Sequence, residues 1–206
     1  MKNILTIAFT SAFLFMFTAI CHGDSPITST PFSQAYLDVE MVEKAKEEGV
    51  MSLEIAEYLS SPSNPVDAKA AVINALSWDV EGKSNSELYL YYLALSYRTP
   101  IDDLDIDALN GDELFSLGYL TVMDDYFNPD EAIPLLEKAN AKRKDSFTVS
   151  IVLALAKAQK AMESDWCEVW KLTDGVLGNK RLKQDLRPRA KKIIVDYMTL
   201  YKNDCK

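Results

Sequence analysis

From residue 34 to the C-terminus, apolar side chains recur at three- and four-residue spacing, and no sustained apolar–polar alternation interrupts them. Residues three and four apart share one face of a helix, whereas residues two apart share one face of a strand. The chain is therefore expected to be all-α, with essentially no sheet. Segments 34–47, 51–60, 65–78, 86–98, 112–125, 129–142, 147–162, 164–176 and 188–201 read as helices, with a shorter one over 102–109. Asn64-Pro65 and Asn128-Pro129 each read as a cap followed by proline at the first helical position. Gly49 and Gly111 punctuate the pattern.

The first residues have a different character. Met1-Lys2-Asn3 precedes an apolar run from Ile4 to Ile20, the pattern of a secretory signal. Cleavage fits best after Gly23, with Cys21 and Gly23 as the small residues at −3 and −1. An uncleaved anchor is the alternative, since the run lies at the short end of a membrane span. A lipidated Cys21 is another, weakened by the bulky Ile20 before it. Residues 24–33, with two prolines and no period, read as a linker. Residues 34–206 then form a single domain in the periplasm or outside the cell. No membrane span is expected after cleavage.

Removing residues 1–23 would also remove His22, the single histidine. The formal charge of −9 would become about −10. Such an acidic chain lacks the basic footprint of a nucleic-acid binder. Cys167 and Cys205 would remain, and an even pair in an oxidising compartment reads as one disulfide. Two buried free thiols are the alternative.

An internal echo runs through the helical part. Asn64-Pro65-Val66-Asp67-Ala68 parallels Asn128-Pro129-Asp130-Glu131-Ala132, with Ala75 and Ala139 following. Leu53…Tyr58-Leu59 and Leu114…Tyr119-Leu120 precede them with a similar beat. The spacing is too uneven for a regular array but suits stacked helical hairpins. Residues 113–142 resemble a Sel1-like or tetratricopeptide-like hairpin. Leu117-Gly118 match the close-packing pair of its first helix, and Ala132, Leu136 and Ala139 the small-large-small beat of its second. Thr121 departs from the family, standing where an aromatic is usual, and Pro134 falls near the start of the second helix. The resemblance implies a short α-solenoid of stacked antiparallel hairpins that binds other proteins. An irregular helical bundle is the alternative architecture.

Several chemistries are excluded for the mature chain. Without histidine, no Ser-His-Asp or Cys-His nucleophile can be built. Cys-x-x-Cys, P-loop and dinucleotide-binding motifs are absent. No cofactor or metal is expected. Asp103, Asp105 and Asp107 imitate the start of a calcium loop, but Ala108 and Leu114 replace the glycine and glutamate that such a loop needs. A carboxylate pair could still cleave glycans, so an α-helical cell-wall glycan hydrolase is the enzymatic alternative.

The tyrosines carry the binding reading. Tyr89, Tyr91 and Tyr92 cannot all face inward on one helix, because neighbours lie about 100° apart. Tyr91 and Tyr92, with Tyr58, Tyr119 and Tyr126 on or near other first helices of hairpins, are the candidate contact residues. Trp166 and Trp170, four apart, are expected to pack the C-terminal core. The cluster Lys180, Arg181, Lys183, Arg187, Arg189, Lys191 and Lys192 is either a solvated helix start or a contact for an anionic partner. The function expected is a non-catalytic binding module for another protein, envelope or secreted, with a basic partner suited to the acidic chain. An envelope scaffold and an inhibitor or immunity protein against a secreted toxin are its two versions.

Overall fold

Stop residues and caps divide the described part of the chain, residues 25–205 of a computed structural model, into nine α-helices. They are α1 (Glu40–Glu48), α2 (Leu53–Ser60), α3 (Val66–Leu76), α4 (Asn85–Tyr97), α5 (Gly111–Asp124), α6 (Ala132–Lys142), α7 (Phe147–Ala161), α8 (Trp166–Gly178) and α9 (Pro188–Met198). Short 3-10 turns occupy Phe32–Ala35, Ile101–Asp103, Ile106–Ala108 and Thr199–Asp204. Among the described residues there is no strand, only an isolated bridge between Ser146 and Lys183. The fold is all-α. The expected signal segment, its cleavage site and Cys21 lie outside the described residues.

Local chemistry explains several helix ends. Asn110 accepts from the amides of Asp112 and Glu113, and the Glu113 carboxylate accepts from the Asn110 amide, so α5 starts with a complete capping box. Ser146 and Asp165 cap α7 and α8. Gly49 ends α1 in the left-handed region at φ 63°, where glycine has no side chain to clash. Asn64 acts differently from the expectation. Its side chain donates to the Tyr58 carbonyl, closing the end of α2, and α3 starts without a side-chain cap.

Several expected helices are shortened, among them that over 129–142, which starts at Ala132 with Glu131 at its N-cap, so Asn128-Pro129 is not its start. The one expected over 34–47 begins only at Glu40, because Tyr36 turns into the core. Over 102–109 only two 3-10 turns form. There the Asp105 carboxylate accepts from the Asp107 amide, a local bond that competes with helix continuation.

Three helices, α3, α5 and α7, are buried along nearly their whole length and touch one another. Small residues make this possible. Ala70 and Ala71 of α3 and Ala156 and Ala158 of α7 are fully buried and let neighbouring backbones approach. The other helices surround this centre, each burying one stripe. Helices α5 and α6 pack as a hairpin, as do α7 and α8, with α6 against α7 between them. At Gly118 a methyl group would stand 3.0 Å from Leu135 and Leu136 of α6, so glycine lets the two helices cross this closely without displacing either leucine.

The linker expected at 24–33 is contradicted over its described part. Ile27, Thr30 and Phe32 are fully buried. The Ser25 hydroxyl donates to Gln159 of α7 at 2.5 Å, and Asn74 of α3 both accepts from the Ser33 amide and donates to the Thr30 carbonyl. The segment is a strap across α3 and α9. Its prolines and lack of period hid it, because an irregular segment can fill a groove without any repeating face. At the other end, the sulfurs of Cys167 and Cys205 lie 2.10 Å apart, at disulfide distance. This ties the final turn to the start of α8. Among the described residues, no helix is long and apolar enough to cross a membrane.

Candidate protein-binding surface

Helix α4 is apolar around its whole circumference but packed on one side. Tyr89, Leu93 and Ala94 are buried, and Leu90 and Tyr92 are half-buried. On the outer side Leu88 is 40% exposed, Tyr91 48% and Leu95 77%. Spacings of three and four residues place these three on one stripe. Among the other helices, α4 packs mainly on α5 and lightly on α2.

The helix is held firmly at both ends. Asn85 accepts from the Met51 amide at 2.7 Å, and the Asp124 carboxylate accepts from the Ser86 amide at 2.6 Å. Tyr89 shares a 2.9 Å hydrogen bond with Ser60. Tyr97 donates to Glu113 at 2.8 Å. Partial desolvation, aided by that carboxylate, pushes the Tyr97 phenol up to about 12. Burial raises the Asp124 carboxyl above its ordinary range, against the opposing effect of the Ser86 and Asn85 amides. Arg98 ends the helix at φ 56°.

Beside α4 lies a groove of about 410 Å³, floored by Leu90, Ile106, Leu117 and Leu135. Glu87, Glu131 and Lys138 stand at its rim. The wall carrying Ile106 is pinned by Lys138, which pairs with Asp107 at 2.5 Å, and by Lys142, which donates to the carbonyls of Asp107 and Leu109. The Lys138 ammonium holds the Asp107 carboxyl below its usual range. Asp102, Asp103 and Asp105 are exposed on the same loop. The result is an apolar trough with acidic surroundings.

The predicted tyrosines separate. Tyr91 and Tyr92 lie on α4, at and beside the outer stripe, and Tyr92 stacks on Tyr89 at 6.2 Å. Tyr58 is half-buried on α2. Tyr119 is not a surface residue. It is fully buried, and its hydroxyl accepts from Asn74 at 3.2 Å. Burial raises its phenol well above the ordinary value. Tyr126 is also buried, its ring edge-on to Trp78 at 5.2 Å. The reason is positional. Helix α5 is central, so the face carrying Tyr119 is covered, and Tyr126, in the turn just after α5, folds in against Trp78.

Other expectations are modified too. Trp170 packs inward, but Trp166 is 46% exposed and stacks on Tyr201 at 5.7 Å. Within the basic cluster, Arg187 serves the fold. It pairs with Asp38, donates to the Ala35 carbonyl and lies 4.2 Å from the centre of the Tyr36 ring. Tyr36 in turn donates to Asp67 at 2.8 Å. Arg187 thereby fastens the N-terminal strap to the start of α9, a role invisible from its place in a run of positive charge. Sequence reasoning passed over Leu88 and Leu95. Their spacing from Tyr91 was the available signal, but it became readable only once Tyr89 and Leu93 were known to face inward.

Among the described residues, no three His, Cys, Asp or Glu side chains converge as metal ligands. No protein-family model, curated protein or solved structure matches the chain.

Proposed function

We propose that this protein is a non-catalytic module that binds another protein, with α4 and its adjoining groove as the contact region. One observation carries the reading: α4 is apolar all round, yet it leaves Leu88, Tyr91 and Leu95 in solvent and lends Leu90 to the floor of an apolar groove rimmed by Glu87 and Glu131. A helix of that composition is normally enclosed, and contiguous exposed apolar residues mark interaction sites. Acidic residues around the groove suit a basic partner segment, steered by long-range attraction. The close α5–α6 crossing at Gly118 supports kinship with Sel1-like and tetratricopeptide-like hairpins, whose business is protein contact. The apolar run at residues 4–20 and the adjacent Cys167–Cys205 sulfurs support export to an oxidising compartment. An envelope scaffold and a toxin inhibitor remain the two forms of this role.

The test is capture of partners from envelope and secreted fractions with the tagged chain. A stoichiometric partner is expected, released by moderate salt and lost in Glu131→Lys. Glu131 is exposed, so this variant leaves the fold intact. Fragment release from peptidoglycan that disappears on a single Asp or Glu substitution would overturn the reading in favour of a glycan hydrolase.

A further inference from the structure

We infer that the outer face of α4 is covered by a second copy of this chain, paired antiparallel about a two-fold axis between Tyr91 and Tyr92. The inference rests on the protein-binding reading only in taking this face as a contact surface, and it leaves the groove to the heterologous partner.

The argument starts from symmetry. A two-fold interface must complement itself: if residue i meets residue j, then j meets i. Around the point between Tyr91 and Tyr92, α4 is close to a palindrome, Leu88-Tyr89-Leu90-Tyr91 followed by Tyr92-Leu93-Ala94-Leu95. Leu88 mirrors Leu95, and Tyr91 mirrors Tyr92. These are the residues of the outer stripe together with the half-buried Tyr92 at its edge. An antiparallel copy would therefore lay leucine on leucine at both ends of the contact and tyrosine on tyrosine at its centre. The inner positions obey the mirror less well, with Tyr89 opposite Ala94. They pack on the protein's own core and take no part in the pairing.

Charge agrees with this pairing. Glu87 stands just before the stripe, and Arg98 just after it, both exposed. In the antiparallel arrangement Glu87 faces Ser96 of the other copy, and Arg98 lies two residues further, roughly 3 Å along the axis at a helical rise of 1.5 Å. Each copy would then contribute one acid and one base to two equivalent pairs. A parallel arrangement would set Glu87 against Glu87 and Arg98 against Arg98. The face consists of three exposed side chains and the half-buried Tyr92, and the chain is acidic overall. Both point to an affinity on the order of micromolar.

Sedimentation equilibrium of the chain lacking residues 1–23, over concentrations from about 1 to 100 μM, spans that range. A reversible monomer–dimer equilibrium is expected. Leu95→Glu should weaken it about tenfold or more, with an unchanged melting temperature, because Leu95 is 77% exposed. Leu53→Glu is the control: Leu53 is 66% exposed on α2, off the stripe, and should leave dimerisation unaltered. Glu87→Arg should weaken the dimer, and adding Arg98→Glu should restore it. Mixing Leu88→Cys with Leu95→Cys should give cross-linked dimer under mild oxidation, with neither variant cross-linking alone. A monomer at every concentration, or a dimer indifferent to Leu95→Glu, would overturn the inference. If the partner sensitive to Glu131→Lys still binds a monomeric chain, only the two-fold pairing fails. If the dimer forms and no such partner exists, the heterologous reading fails instead.

Discussion

Lys69 carries a charge into the interior. Its ammonium is fully buried and bonded to Asp112 at 2.7 Å, and Asp112 also pairs with Arg143 at 2.5 Å. Burial lowers the lysine pKa while Asp112 opposes that shift. Removing one member strands the other charge. Asp112→Ala is expected to cost about 3–5 kcal/mol, whereas Lys69→Met with Asp112→Leu should cost less, because only the partly exposed Arg143 then loses its partner. Urea unfolding of both variants checks this. Asp124 behaves oppositely to a paired surface acid. Its carboxyl is raised above the ordinary 3.8 by burial, so the folded state holds its proton more tightly than the unfolded state does. Its contribution is therefore fully present below pH 3.8 and is lost as pH rises through the folded pKa. Asp124→Asn removes that titration but keeps an acceptor for the Ser86 amide. The melting temperature of the variant relative to the parent should become more favourable from pH 4 to pH 7.

At the scale of elements, pattern and environment divide the explanatory work. Periodicity located the nine helices to within a few residues in most cases, because each must bury a stripe to be stable. It failed at the N-terminal strap. Ile27 and Phe32 lie on no periodic face, and their burial is decided by a cleft that other elements create. Phe32→Ala should cost about 3–5 kcal/mol, the usual penalty for emptying a filled aromatic site. Thermal unfolding would measure it; an effect near zero would mean that the strap is dispensable. Gly118 provides the reverse test. Gly118→Ala pushes a methyl to 3.0 Å from Leu135 and Leu136, and overpacking of that kind costs about 1–3 kcal/mol. The same variant should disturb the groove floor, which Leu135 shares.

Across the whole molecule, the ends are secured by different means. Arg187 fastens the strap to α9, and the Cys167–Cys205 link ties the last turn to α8. The two cysteines are 38 positions apart, so closing that loop contributes about 4 kcal/mol in the chain-entropy account. Reduction with dithiothreitol should lower the melting temperature with little loss of helical circular dichroism below it. For the two cysteines the sequence left a disulfide and two free thiols both open, but by itself it determined the helical class, the approximate helix limits and the absence of histidine from residues 23–206. Those properties depend on residue type and on neighbours three or four positions away. Tertiary structure alone decided which tyrosines reach solvent, that Arg187 is a fastening and that Leu88 and Leu95 join Tyr91 on an uncovered face. Exposure is a property of where a helix sits among the others, and neighbours distant in sequence set it. Tyr119 and Tyr91 illustrate the point: both lie on tyrosine- and leucine-containing helices, yet α5 is surrounded while α4 stands at the edge.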